Sequence, residues 1–162
     1  MYKTILTDID GVIADPRPQV EKYLHNGNWN WDEYFKHTLE LEPIPLIVEM
    51  LDAMALIGNR IIFITGRPQS NRRLTTQWLM EHFRYATVTG SGLSLLMRSG
   101  TDTGPTTAIK LKCCDILKPD LVLEDEPDAV SALVTAGYKV LQVHGYRISG
   151  KDGIPGIAGN LP

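Results

Sequence analysis

Two kinds of segment alternate along the chain. Short blocks crowded with β-branched and aliphatic residues read as buried strands. They lie at 2–9, 60–65, 93–98, 121–124 and 139–144. Longer stretches of mixed polarity separate them and read as helices. A short one falls around 19–25 and another in the second half of NGNWNWDEYF; the rest lie at 45–57, 71–83, 106–117 and 127–136. The punctuation fits this division. Asn30 is placed to cap the helix in the aromatic segment. Pro45 suits a first helical turn, and Gly58 and Gly137 close helices. Asp10-Gly11 breaks the first strand and Gly66 the second. Strands alternating with helices predict an α/β fold, a doubly wound, mostly parallel sheet covered on both faces.

Composition sets a size and a setting. The 162 residues suffice for one domain with a sizeable core, assigned to 1–148 with a small helical insertion at about 15–44. The remaining 149–162 carry glycines at 150, 153, 156 and 159 and read as a loose tail. Sixteen basic against nineteen acidic residues leave a charge of −3. That balance marks no nucleic-acid binder over the whole chain, although a local basic groove stays possible. Cys113 and Cys114 are adjacent, which favours a reducing compartment without a disulfide framework. No leader-like segment or membrane-length apolar run is present, so a cytoplasmic protein without membrane partners is expected.

The chemistry collects just past the strands. ILTDIDGVIAD, residues 5–15, sets Asp8 and Asp10 at the end of the first apolar block. Burying carboxylates is costly unless something pairs with them. Thr65, Gly66 and Arg67 follow the second strand, Lys110 lies on the helix before the strand at 121, and Glu124, Asp125, Glu126 and Asp128 come after it. Ligands of open parallel sheets bind at the carboxyl ends of the strands, so these distant residues can converge. Clustered carboxylates repel unless a cation sits among them. Hard oxygen ligands with only scattered histidines (25, 37, 82 and 144) select Mg²⁺ over Zn²⁺. Mg²⁺ commonly completes its shell with water and phosphate, and a lysine and a threonine supply donors to phosphate oxygens. Phosphoryl chemistry is the expectation.

DIDGV at 8–12, FITGR at 63–67, Lys110 and LEDEPDAV at 123–130 resemble, in order and spacing, the four motifs of the haloacid dehalogenase (HAD) superfamily. The resemblance runs from residue 3 to about 145 and implies a Rossmannoid phosphatase with only a small cap insertion. It implies Asp8 as nucleophile and Asp10 as general acid–base. Thr65 and Lys110 become the phosphate-binding and charge-neutralising groups. Mg²⁺ would be held by Asp8, Asp125 and the backbone carbonyl of Asp10, with Glu124 and Asp128 as outer partners. Duller roles stay open: Asp8 and Asp10 as a turn and cap, Lys110 as a solvated lysine, Asp128 as a helix-dipole partner, and Glu126 facing solvent.

TGR at 65–67, Arg98, Asp102 and Lys110 resemble more closely the phosphatase domain of phage-type polynucleotide kinase-phosphatases, which removes 3′-phosphates from nucleic-acid ends. By that match Gly66, Arg67 and Arg98 contact the substrate, arginine because its fork binds oxyanions in two places. GTDTGPTTAIK departs from the pattern, with glycine and proline where that domain tends to be charged. DGVIAD also resembles the start of the small deoxyribonucleotidases. Trp29, Trp31, Tyr34 and Phe35 are available either for core packing or for stacking on a base. The expected substrate is a phosphorylated small molecule, a nucleotide first and a nucleic-acid 3′-end second. A phospho-accepting signalling domain is the remaining alternative.

Overall fold

The β-branched blocks do form strands, and the segments between them helices. The computed structural model describes residues 2–25, 28–87, 93–101 and 104–144. Asp102, the side chain of Trp29 and the Gly-rich tail lie outside the described positions. In chain order the elements are β1 (Thr4–Thr7), β2 (Ala14–Asp15), α1 (Val20–Tyr23), β3 (Leu24–His25), β4 (Asn28–Trp29), α2 (Trp31–Lys36), β5 (Glu42–Pro43) and α3 (Pro45–Leu56). Then follow β6 (Arg60–Pro68), α4 (Arg72–His82), β7 (Leu95–Arg98), α5 (Thr106–Leu117), β8 (Leu121–Glu124), α6 (Pro127–Thr135) and β9 (Val140–Gln142).

Five strands make one parallel sheet in the order β7-β6-β1-β8-β9. From central β1 the chain builds outward through β6 and β7, then returns to β8 on the other side of β1. This reversal opens a crevice at the carboxyl ends of β1 and β8. The register is tight there: Thr7 of β1 pairs with Phe63 of β6 and with Leu123 of β8. Residues immediately after these positions therefore emerge side by side.

Each strand feeds two cores, because successive side chains point to opposite faces. Ile5, Ile61, Phe63 and Leu123 join Trp78, Leu79 and Leu51 on one face. Leu6, Ile62, Ile64 and Val122 join Cys114 and Leu133 on the other. Fully burying one such aliphatic or aromatic side chain contributes roughly 1.5–3 kcal/mol. Trp78 also satisfies its indole N–H on the Leu41 carbonyl at 2.8 Å, tying α4 to the segment ahead of α3. Both cysteines are free thiols.

Two sequence expectations need correction. The helix expected at 19–25 stops at Tyr23; Leu24–His25 pairs antiparallel with Asn28–Trp29 instead. The intervening Asn26-Gly27 is the strongest short-range hairpin signal, and it outweighs helical patterning in so short a segment. The second strand does not break at Gly66 but runs on to Pro68. Its register against β7 shifts between Thr65 and Pro68, so a bulge absorbs the irregularity. Gly66 packs closely against the start of α5: a Cβ there would lie 3.2 Å from Thr106 Oγ1, so that side chain would have to give by a few tenths of an ångström.

Candidate active site

Asp8 follows β1 directly and stays in line with the sheet, its backbone N–H donating to the Leu123 carbonyl at 3.0 Å. The chain then turns through Gly11, whose φ of +84° is left-handed. The N–H groups of Ile13 and Ala14 return to the Ile9 carbonyl, both at 2.9 Å. This turn leaves Asp8 and Asp10 in different surroundings.

Asp8 enters a buried ionic cluster. Lys110, on α5, donates to Asp8 Oδ2 at 2.7 Å and to Glu124 Oε2 at 2.5 Å. The other Glu124 oxygen accepts from the backbone N–H groups of Asp125 at 3.2 Å and Glu126 at 3.1 Å. Oxygen atoms of Asp8, Glu124 and Asp125 all lie within 4.8 Å of one another. Three carboxylates against one ammonium would give −2 if all were ionised. Burial is the main force on Asp8 and pushes its pKa up to about 7, Lys110 opposing and Glu124 adding to the rise. Burial likewise pushes Asp125 up to about 8, with repulsion from Asp8 and Glu124 behind it. Burial also works against a charged Lys110, but Asp8 and Glu124 outweigh it and hold the ammonium above the ordinary lysine range.

This donor set fits a hard divalent cation, which would remove the repulsion that raises both aspartates. The backbone turn adds a second sign of fit. A Cβ on Gly11 would fall 2.3 Å from Asp125 Oδ2, so the Asp10–Gly11 backbone lies directly against that carboxylate. Both Glu124 oxygens are already committed, one to Lys110 and one to backbone donors, which makes Glu124 an anchor for Lys110 and for the loop.

Asp10 is gripped from the other side. Arg67 donates Nε to Oδ2 at 2.9 Å and Nη2 to Oδ1 at 2.6 Å. The Tyr34 hydroxyl donates to Oδ1 at 2.8 Å. Arg67 exposes 0% of its side chain and Asp10 exposes 23%. Arg67, expected to contact the substrate, also borders the cavity, and its fork makes a two-pronged contact with Asp10. The expected contact Arg98 borders the cavity and donates to the Gly104 carbonyl at 2.8 Å and to Thr106 Oγ1 at 2.6 Å. It thereby ties the end of β7 to the start of α5. Thr65 Oγ1 accepts the Arg67 backbone N–H at 3.2 Å, which directs the hydroxyl's own proton elsewhere.

Asp8, Asp10, Thr65, Lys110 and Asp125 border one cavity of about 600 Å³. Gly66 lies on its wall, and Trp31 and Phe35 form an apolar side. Their rings stack at 5.7 Å with 24° between planes. A bare phosphate fills only a small part of such a volume. Asp128 is exposed in the first turn of α6 and does not border the cavity. Glu126, read as solvent-facing, does border it. Tyr34 stands in the sequence only among the aromatics, and its bond to Asp10, 24 positions away, gives no signal there; Asn71 and Thr75 give none, since they matter through Arg67, which Thr75 meets directly and Asn71 through Thr75.

A cavity with a polar end, a buried lysine and paired aspartates at a sheet's switch point invite comparison with known phosphatases. The model of the polynucleotide kinase PNKP phosphatase domain, HAD_PNKP, matches residues 2–146. The chain belongs to this family. It is an HAD-family phosphatase domain, and solved structures agree on the fold. A chain of the Pnkp1/Rnl/Hen1 RNA repair complex superimposes with a TM-score of 0.63 at 18% identity, over 88% of this chain and 42% of that one. The class C acid phosphatase from Bacillus anthracis, with tungstate bound, gives 0.61 at 18% identity, over 88% and 66%. An HAD hydrolase of family IA, variant 3, from Entamoeba histolytica gives 0.57 at 15% identity, over 85% and 82%. At these identities the likeness establishes the HAD architecture alone. The chain spans less than half the length of the chains it matches in the Pnkp1/Rnl/Hen1 complexes. No curated protein matches the sequence at a significant level. Among the described residues, no helix is long and apolar enough to cross a membrane.

Proposed function

We propose that this domain is a Mg²⁺-dependent phosphomonoesterase that works through an aspartyl-phosphate on Asp8. The observation that carries the proposal is the placement of Asp8: its carboxylate lies 2.7 Å from a buried lysine, beside Asp125, at the end of a cavity with donors for a phosphate. Asp8 and Asp125, with the Asp10 carbonyl, would hold the cation. It would supply the charge neutralisation that lets an anionic carboxylate approach an anionic phosphate.

Asp8 attacks phosphorus, forming an Asp8–phosphorus bond as the bond to the leaving oxygen breaks. Asp10 gives a proton to that oxygen. In the second half Asp10 takes a proton from water, and the water oxygen attacks phosphorus and frees the Asp8 carboxylate. Lys110 and the Thr65 hydroxyl stabilise phosphoryl oxygens throughout. The site returns to its starting state with one water consumed.

The substrate is a phosphate on a nucleotide unit. The cavity volume and the Trp31–Phe35 stack at its edge support a flat ring beside the phosphate. Membership in the PNKP phosphatase family supports the terminal 3′-phosphate of a nucleic acid over a free nucleotide. A panel of nucleoside 5′- and 3′-monophosphates and 3′-phosphorylated oligonucleotides, assayed for phosphate release with Mg²⁺, separates the two. Turnover of oligonucleotide ends at least about 100-fold above both monophosphates assigns strand ends, and the reverse order assigns a nucleotidase. A stable acyl-phosphate without phosphate release would instead mark a signalling domain.

A further inference from the structure

We propose that Tyr34, on the inserted helix α2, is a positioning residue for proton transfer: with Arg67 it fixes the Asp10 carboxylate so that Oδ2 faces the leaving oxygen. The inference rests on the phosphatase reading above and goes beyond it by assigning part of the inserted segment to the chemistry.

The hydrogen-bond count on Asp10 is uneven. Oδ1 receives Tyr34 O–H at 2.8 Å and Arg67 Nη2 at 2.6 Å. Oδ2 receives Arg67 Nε alone, at 2.9 Å. A carboxylate offers about four lone-pair sites over its two oxygens. Oδ1 is thus filled, and Oδ2 keeps a site on a side chain that borders the cavity. Proton exchange with the leaving group, and later with water, is assigned to Oδ2.

Both holders are themselves immobilised. Tyr34 is buried to 1% exposure, its ring packed edge-on against Tyr23 at 6.0 Å and Trp31 at 5.7 Å. Arg67 Nη1 donates to Thr75 Oγ1 at 3.2 Å, and Thr75 Oγ1 donates to Asn71 Oδ1 at 2.8 Å. The Asn71 amide donates to the Phe35 carbonyl at 2.5 Å, one residue beyond Tyr34. Thr38 Oγ1 donates to that same carbonyl at 2.8 Å. The chain of contacts from Asp10 through Arg67, Thr75, Asn71 and Phe35 therefore returns to Asp10 through Tyr34. A closed, largely buried polar loop of this kind holds its members more firmly than any one bond in it. It fastens α2 to α4 and orients the carboxylate in the same stroke.

The test uses Tyr34→Phe, which keeps the ring and deletes only the donor, and Arg67→Lys, which keeps the charge and deletes the fork. Each is compared with wild type by kcat/KM, with Mg²⁺, on p-nitrophenyl phosphate and on an alkyl ester, a nucleoside monophosphate. Nitrophenolate leaves with little help from an acid, whereas an alkoxide needs the proton. The expected result is a loss of about 10-fold or more on the alkyl ester, the scale of one hydrogen bond to a charged group, and at most about 3-fold on p-nitrophenyl phosphate. Equal losses on both esters in a folded variant, or no loss on either, would overturn the positioning role. If wild type releases phosphate from neither ester, the phosphatase reading fails and the positioning role falls with it.

Discussion

Replacing Lys110 by methionine isolates the charge at the centre of the site, because methionine keeps most of the stem's volume. Lys110 is 4% exposed and serves both Asp8 and Glu124. Removing one partner of a buried ion pair costs about 3–5 kcal/mol, since an uncompensated charge is left behind. Here the carboxylates can escape by taking up protons, and a tenfold change in proton affinity is worth about 1.4 kcal/mol. Without Lys110 the folded-state pKa of Asp8 rises further above its unfolded value. Stability contributed by such a group is complete below the unfolded pKa and is lost as pH rises through the folded one. The full cost of about 3–5 kcal/mol is therefore expected at pH 8 with metal chelated, and about half of it at pH 5. For a domain of this size it corresponds to a drop of roughly 10 °C in Tm at pH 8. Urea unfolding of wild type and Lys110→Met at both pH values measures the difference. A cost below about 1 kcal/mol at pH 8, or an equal cost at both pH values, would refute the reasoning about the buried cluster.

Wild type itself should show a related pH dependence. In chelator its stability falls as pH rises from about 4 toward 8, because folded Asp8 and Asp125 still hold protons that the unfolded chain has released. Mg²⁺ displaces those protons, so the Tm gain from Mg²⁺ should be larger at pH 8 than at pH 5; an equal gain would separate the cation from these two groups. Gly11→Ala puts a Cβ 2.3 Å from Asp125 Oδ2 on a left-handed backbone. Strain of about 1–3 kcal/mol and a displaced Asp125 are expected, with Mg²⁺ affinity, read by titration of Tm, falling at least tenfold. Trp31→Ala should raise KM for the nucleotide-type substrate about 5- to 100-fold, one stacking contact, with a smaller loss in kcat because Trp31 also packs against Tyr34; an unchanged KM would exclude the ring from binding.

Much of this was legible in the sequence, for a physical reason. Helix α5 and strand β8 fall at the residues expected, because Pro105 and Pro119 bracket one and the apolar block Leu121–Leu123, ended by Glu124, defines the other. Asp8, Thr65 and Asp125 converge as expected because Thr7, Phe63 and Leu123 lie in register, so the residues just beyond them emerge together, and α5 brings Lys110 to the same place. Local patterning failed where a competing signal was short, as at Leu24–His25, or where a bulge carried a strand past its glycine, as at Gly66. The partner of a side chain was harder still. Arg67 looks like a substrate arginine in sequence, and its contacts with Asp10 and Thr75 cannot be read there at all. Tyr34 is one aromatic among several until its hydroxyl is seen on Asp10.

The central claim is that Asp8 is the group that becomes phosphorylated. An acid quench early in the reaction with Mg²⁺ and a phosphomonoester radiolabelled in its phosphoryl group tests it directly. Wild type should carry hydroxylamine-labile label on the protein and Asp8→Asn none; with p-nitrophenyl phosphate, whose leaving group needs little help from an acid, Asp10→Asn should carry more than wild type, because water activation is impaired. Label bound to Asp8→Asn at the wild-type level, or phosphate released by that variant at the wild-type rate, would contradict it.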